Sequence, residues 1–240
     1  MTEVHGRTWH AWLAARGSAA VLIIAAIIAQ AQMTISVTLD LHRDLATTMV
    51  NFFSYFTILS NLFCAVTLFI AAAWMMRSSR PVQEPLWLAL LLACASTYMI
   101  VTGVVYNLLL RNIALDQGTT VPWSNEILHL LGPAYMLIDS LFARSTRPLP
   151  WKHATVALIF PVLWLAYTFI RGPFTTAPAT GLPWWYPYPF LNPHIQGGWG
   201  PVLGYVAGIA AAIVIVAFLV VAMGRRPRGA KSQAPAKQMH

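Results

Sequence analysis

The sequence predicts an all-α fold: a polytopic membrane bundle of six transmembrane helices with both termini in the cytoplasm. Three observations lead there. Of the 240 residues, 58% are hydrophobic and 9% charged, against roughly 25% charged in a soluble domain. Six stretches reach the ~20 mostly apolar residues that a span requires: 18–37, 52–75, 86–110, 124–143, 153–171 and 199–223. The basic residues between these stretches alternate, twelve on one side against three on the other, and the positive-inside rule assigns the richer side to the cytoplasm.

Taken in order, residues 1–17 form a cytoplasmic segment carrying Arg7 and Arg16. The apolar run from 18 is too long for a signal-peptide core, and no small-residue cleavage motif follows it. The first span is therefore expected to act as its own insertion signal. The next loop holds Arg43 against Asp40 and Asp44. Arg77 and Arg80 follow the second span, Arg111 and Asp116 the third, Arg144, Arg147 and Lys152 the fourth, and Arg171 the fifth. Short loops favour antiparallel neighbours. The exception is the last outer loop, 172–198, rich in proline and carrying Trp184, Trp185, Tyr186 and Tyr188. It suits an interfacial aromatic belt or an ordered lid over an outward-facing cavity. The transmembrane domain spans 18–223, and 224–240 is a basic tail of disordered composition.

The formal net charge of +8 does not imply nucleic acid, because the charges sit in short loops and the tail rather than along one basic face. Cys64 and Cys94 lie inside apolar stretches, which excludes a disulfide scaffold. Gly200, Gly204 and Gly208 recur at four-residue spacing in the last span, a pattern that predicts close helix approach. Pro133 and Pro161 fall inside spans and each frees a backbone carbonyl.

The second span opens with NFFSYFTILSN, in which Asn51, Ser54, Tyr55, Thr57, Ser60 and Asn61 carry hydroxyls or amides. At 100° per residue, Ser54, Thr57, Asn61 and Cys64 fall within about 80° of one another, with Ser60 beside them. The polar stripe is expected to face the bundle interior. Ser96, Gly103 and Asn107 in the third span form a counterpart. Polar groups of this kind commonly serve as interhelical glue. The fourth span, SNEILHLLGPAYMLIDSLFAR, also contains Glu126, His129 and Asp139, and ionisable groups inside a span usually line cavities or relays. Thr57 and His129 lie at matched depth, roughly 8–9 Å below the outer boundary at 1.5 Å per residue. That makes them a possible nucleophile and base. Ser54, Ser60, Asn61 or Asn125 are candidate oxyanion donors, and Asn107 a further orienting group. Glu126 is placed to hold the His129 tautomer. Asp139 lies about 15 Å along the helix from His129 and is expected to pair with a basic or polar group in the bundle.

FFSYFTILSNL, followed later by SNEILHLLGPAYMLIDSLF, resembles the androgen-induced-gene family of integral-membrane hydrolases, and the YPYPFLNP run in the outer loop resembles its bacterial branch. The resemblance implies a six-helix-like intramembrane threonine hydrolase that cleaves fatty-acid esters of hydroxy fatty acids. It puts the nucleophile at Thr57 and the histidine at His129, flanked by Asn125 and Asp139. Where animal members commonly carry a second histidine, this chain has Glu126. The expected partners are membrane lipids and a lipid ester, with no nucleic acid; oligomeric state has no signal in the sequence. The alternative is a transporter or binding protein for a small amphiphile with a Glu126/His129/Asp139 relay, although no inverted repeat is evident. His42, His129 and His194 could share the outer side, but no HExxH or paired intramembrane histidine pattern exists. No cofactor or metal is expected.

Overall fold

The computed structural model describes residues 2–78, 83–113, 120–143 and 147–226. The tail from 227 onward, Arg80, Asp116 and Arg144 lie outside the described residues. Eight α-helices run α1 (Thr2–Asp40), α2 (Leu45–Phe52), α3 (Phe56–Arg77), α4 (Leu86–Val105), α5 (Pro122–Glu126), α6 (Gly132–Phe142), α7 (Ile159–Arg171) and α8 (Trp199–Gly224), and no strand occurs among the described residues. Five helical runs are long and apolar enough to cross a membrane: Thr8–Asp40, Phe56–Arg77, Leu86–Leu110, Trp151–Phe174 and Trp199–Gly224. Apolar helices of this length mark a membrane protein. The stretch expected at 124–143 is helical from Pro122 to Phe142, but a π-helical turn at Ile127–Leu131 divides it into α5 and α6.

Several boundaries differ from the sequence reading. The first helix starts at Thr2, upstream of the expected 18. The second span starts at Phe56, because the NFFSYFTILSN stretch is not one helix. Its first residues end α2, a short helix N-capped by Asp44, whose carboxylate accepts the Thr47 amide at 2.9 Å. A turn at 53–55 then separates α2 from α3. Ser54 therefore leaves the helical stripe that was expected to hold it beside Thr57.

α4 is the central element. It packs on α3, α6, α8 and the 3₁₀ segment Trp151–Leu158 that leads into α7. Its buried residues lie on every side, from Leu88 and Ala95 to Tyr98 and Met99, as expected for a helix enclosed by others. α1, α7 and α8 are peripheral and present large apolar side chains outward, among them Leu22, Ile28, Leu163, Ile170, Ile215 and Leu219. The glycine stripe of α8 does not serve helix packing within the chain: nothing stands within 4 Å of a Cβ built at Gly200, Gly204 or Gly208. Close approach occurs elsewhere. A Cβ at Gly103 would meet Pro133 at 2.8 Å, and one at Gly132 would meet Met99 at 2.8 Å, so these glycines let α4 lie against the divided helix.

Polar contacts gather at the two ends of the bundle. At one end, Arg16 of α1, Glu84 before α4 and Asp139 of α6 meet, and Arg225 donates to the Leu149 carbonyl at 2.8 Å. At the other end, Arg171 donates to Asn51 Oδ1 at 2.7 Å, Ser54 and Tyr167 share a hydrogen bond at 2.8 Å, and Thr57 meets Tyr188.

Candidate functional site

The site is built around the start of α3. The first amides of any helix have no intrahelical acceptor, and here the N-cap residue, Tyr55, supplies no side-chain cap. The acceptor comes instead from far along the chain. Thr57 N–H donates to Tyr188 Oη at 3.2 Å, and Thr57 Oγ1 lies 3.3 Å from the same oxygen. Tyr188 is held by rings on several sides: Phe190 stacks on it at 5.2 Å, and Tyr55 meets it edge-on at 5.6 Å. Burial pushes the Tyr188 phenol above its usual range, with the Thr57 hydrogen bonds acting in the opposite direction. The hydroxyl therefore keeps its proton at neutral pH.

The proline- and aromatic-rich loop 172–198 is folded down onto this end of the bundle. Trp185 N–H donates to the Gly172 carbonyl at 3.0 Å, and Arg171 lies over the Trp185 ring at 5.4 Å. Gly172 is required there, since a Cβ would stand 2.5 Å from the Tyr186 ring. Trp185, Tyr186, Tyr188 and Phe190 are all buried.

Thr57 and Tyr188 form part of the wall of a cavity of about 130 Å³ that also includes Phe56, Val105, Trp164 and Ile209. Almost all of its surface is hydrocarbon or aromatic; Thr102 and Tyr106 add the remaining hydroxyls. An apolar cavity of ~150 Å³ takes a benzene-sized ligand. This one is of similar size, with Thr57 among its few polar wall residues.

His129 occupies the π turn beside α4. Its Nδ1 lies 3.0 Å from the Asn125 carbonyl. A carbonyl only accepts, so in the neutral ring Nδ1 carries the proton and Nε2 keeps its lone pair. The imidazole stacks on Tyr106 at 3.6 Å between centroids, and the Asn125 amide donates to Tyr106 Oη at 2.7 Å. Tyr106 reaches the cavity wall; His129 does not. No hydrogen bond joins Thr57 to His129, and the hydroxyl's partner is Tyr188.

Pro133 accounts for the local backbone. It has no N–H, so the carbonyls that a π or an α register would direct at it, Leu128 and His129, lose their donor. Asn61 Nδ2 serves Leu128 at 3.2 Å, and Asn107 Nδ2 serves His129 at 3.1 Å. The same Asn61 amide also donates to the Thr57 carbonyl at 2.9 Å, which keeps the two backbones adjacent. Both asparagines thus satisfy orphaned carbonyls instead of facing the cavity as oxyanion donors.

The other expected donors are also engaged. Ser60 donates to the Thr57 carbonyl at 3.1 Å and pairs with Thr102 at 3.2 Å. Ser54 donates to the Val50 carbonyl at 2.7 Å and meets Tyr167. Glu126 takes a bidentate hydrogen bond from Arg111 at 2.8 and 3.1 Å, at the rim, so the imidazole is oriented by a carbonyl and not by this carboxylate. Asp139 is in the other half of the bundle, where it receives Arg16 at 2.9 and 3.0 Å.

Sequence reasoning missed Tyr188 and Glu84, and put Tyr106, with Thr102, only at the edge of the third span's polar face. Tyr188 belongs to the YPYPFLNP run singled out above, but no periodicity relates a loop residue to a helix start 131 positions earlier. Glu84 did leave a signal, as the lone acidic residue between the second and third spans. Among the described residues no group of three His, Cys, Asp or Glu could hold a metal ion. No protein-family model, curated protein or solved structure matches the chain.

Proposed function

We propose that the protein is a six-span plasma-membrane hydrolase of lipid esters, with both termini cytoplasmic, Thr57 as nucleophile and His129 as base. One observation carries this reading: a threonine hydroxyl stands at the first turn of a buried helix, on the edge of an apolar cavity that suits an acyl chain. The positive-inside distribution puts that cavity in the outer half of the bilayer. The divided helix 122–142 supplies the sixth crossing.

In the reaction, Thr57 Oγ1 attacks the ester carbonyl while its proton passes to His129 Nε2. The tetrahedral intermediate collapses as the imidazolium gives that proton to the departing alkoxide. Water then attacks the acyl-threonine as His129 Nε2 takes its proton. The second tetrahedral intermediate collapses, the bond to Thr57 Oγ1 breaks as the imidazolium returns that proton to Oγ1, and the fatty acid leaves. The Asn125 carbonyl fixes the tautomer this requires. Hydrogen bonds between such pairs commonly tighten only with substrate bound, and here Tyr188 must first yield the threonine hydroxyl.

The Thr57–Tyr188 bond, together with the lack of one to His129, favours a second reading: a binding protein or transporter for a small amphiphile that uses the same cavity without chemistry. An alkyl fluorophosphonate decides between them. The hydrolase is labelled, and Thr57→Ala and His129→Ala each lose the label while remaining folded. Equal labelling of Thr57→Ala and the parent protein would refute the assignment.

A further inference from the structure

We infer that Tyr188, supplied by the outer loop, is a catalytic residue of this site: its phenol and the Thr57 amide together form the oxyanion hole. The inference rests on the hydrolase reading above.

The phenol oxygen occupies the place where a carbonyl oxygen would sit. It is within hydrogen-bond distance of both the Thr57 amide and the Thr57 hydroxyl. An oxygen bonded to the carbon attacked by Oγ1 falls in that same neighbourhood. A nucleophile's own amide is a well-established oxyanion donor, and a tyrosine hydroxyl can be the second. The amide is also at the start of a 22-residue helix, where the dipole favours negative charge. When a substrate carbonyl enters, its oxygen replaces the phenol oxygen as acceptor of the Thr57 amide. The phenol then turns to donate to the same atom. No proton is transferred: the hydroxyl stabilises the developing alkoxide and keeps its hydrogen.

Helix capping alone would not require this arrangement. A cap is ordinarily supplied by the residue preceding the helix, whereas here it comes from a buried tyrosine on the cavity wall. The other polar groups near Thr57 already serve carbonyls or one another: Ser60, Asn61 and Thr102 are engaged, and the Asn125 amide is held by Tyr106. Tyr188 is left as the side-chain donor nearest the reacting oxygen. Because it arrives on the loop, the hole is complete only when the loop is seated.

The test uses full-length protein in lipid nanodiscs, with p-nitrophenyl octanoate as substrate and an alkyl fluorophosphonate as label. Tyr188→Phe keeps the ring packing and removes the donor. The expected result is a loss of about 10²–10³-fold in kcat, with KM within about twofold, slower labelling, and a lowered melting temperature because the Thr57 amide loses its acceptor. A fluorinated tyrosine at 188 keeps the hydroxyl and makes it more acidic, so it should change kcat and lower the alkaline limb of the pH profile. If both variants retain parental kcat and pH profile while Thr57→Ala abolishes labelling, Tyr188 is only a cap and the inference is overturned, with the hydrolase reading intact. If Thr57→Ala labels like the parent, the hydrolase reading falls and this inference falls with it. Should Tyr188→Phe fail to fold, the fluorinated variant alone decides.

Discussion

The two ends of the bundle use buried polarity in opposite ways. At one end, Arg16 is fully buried and held by Glu84 and Asp139 at 2.9 Å each. The guanidinium ties α1, the segment before α4 and α6 into one unit. At the other end, Thr57, Tyr188 and Thr102 are neutral hydroxyls on the wall of a cavity, and His129 keeps one nitrogen uncommitted. The buried ion pairs hold helices together, and the neutral hydroxyls are left facing space. An intramembrane carboxylate is a reasonable pointer to function, yet here Asp139 is occupied with architecture.

The largest effect is expected at the Arg16 cluster. Arg16→Ala leaves two carboxylates buried around a void, and losing one partner of a buried ion pair costs roughly 3–5 kcal/mol. Thermal unfolding in detergent should show a large drop, and labelling should fall only in proportion to folded protein. Converting the cluster together, with Arg16→Met, Glu84→Gln and Asp139→Asn, should restore most of the loss, because neutral replacements remove the desolvation cost. A selective loss of labelling at full stability would place the Arg16 cluster in the chemistry and erase the contrast.

The cavity end should respond the other way round. His129→Ala is expected to lower turnover of a soluble ester by roughly 10²–10⁴-fold, the usual contribution of a general base, with little change in melting temperature. Asn107→Ala sits between the two behaviours. It removes the donor to the His129 carbonyl, an exposed hydrogen bond whose loss costs about 0.5–1.5 kcal/mol. Adding Pro133→Ala returns a backbone N–H to that helix, so the double variant should recover part of the loss. A double-mutant cycle reports the coupling, and strict additivity would show that the proline is not the reason for the asparagine. The smallest effect belongs to Glu126→Gln. Its pair with Arg111 is more than a third exposed on both sides, and exposed pairs contribute about 0–1 kcal/mol. Neither stability nor labelling should move appreciably.

These contrasts follow how far each feature depends on partners distant in the chain. Hydropathy located the long helices, because burial in lipid is a property of each segment alone. The polar stripe put Thr57, Ser60 and Asn61 on the buried side of α3, and all three are buried. The stripe could not foresee that Asn61 would spend its amide on the Leu128 carbonyl, since that need arises from Pro133 in another helix. α2 went unread because eight residues, LATTMVNF, are too few to establish a period. The glycines of α8 misled for a related reason: small-residue spacing permits close packing, but a partner must be present for it to occur. Arg16 was read as a topology charge, and only the fold brings its two carboxylates to it.

The account depends most on where a covalent adduct forms. Intact-mass and peptide analysis of the full-length protein after reaction with an alkyl fluorophosphonate should place one phosphonyl group on Thr57, and none should form in His129→Ala. An adduct on any other residue, or an unmodified protein after prolonged exposure, would contradict a threonine nucleophile at the edge of this cavity.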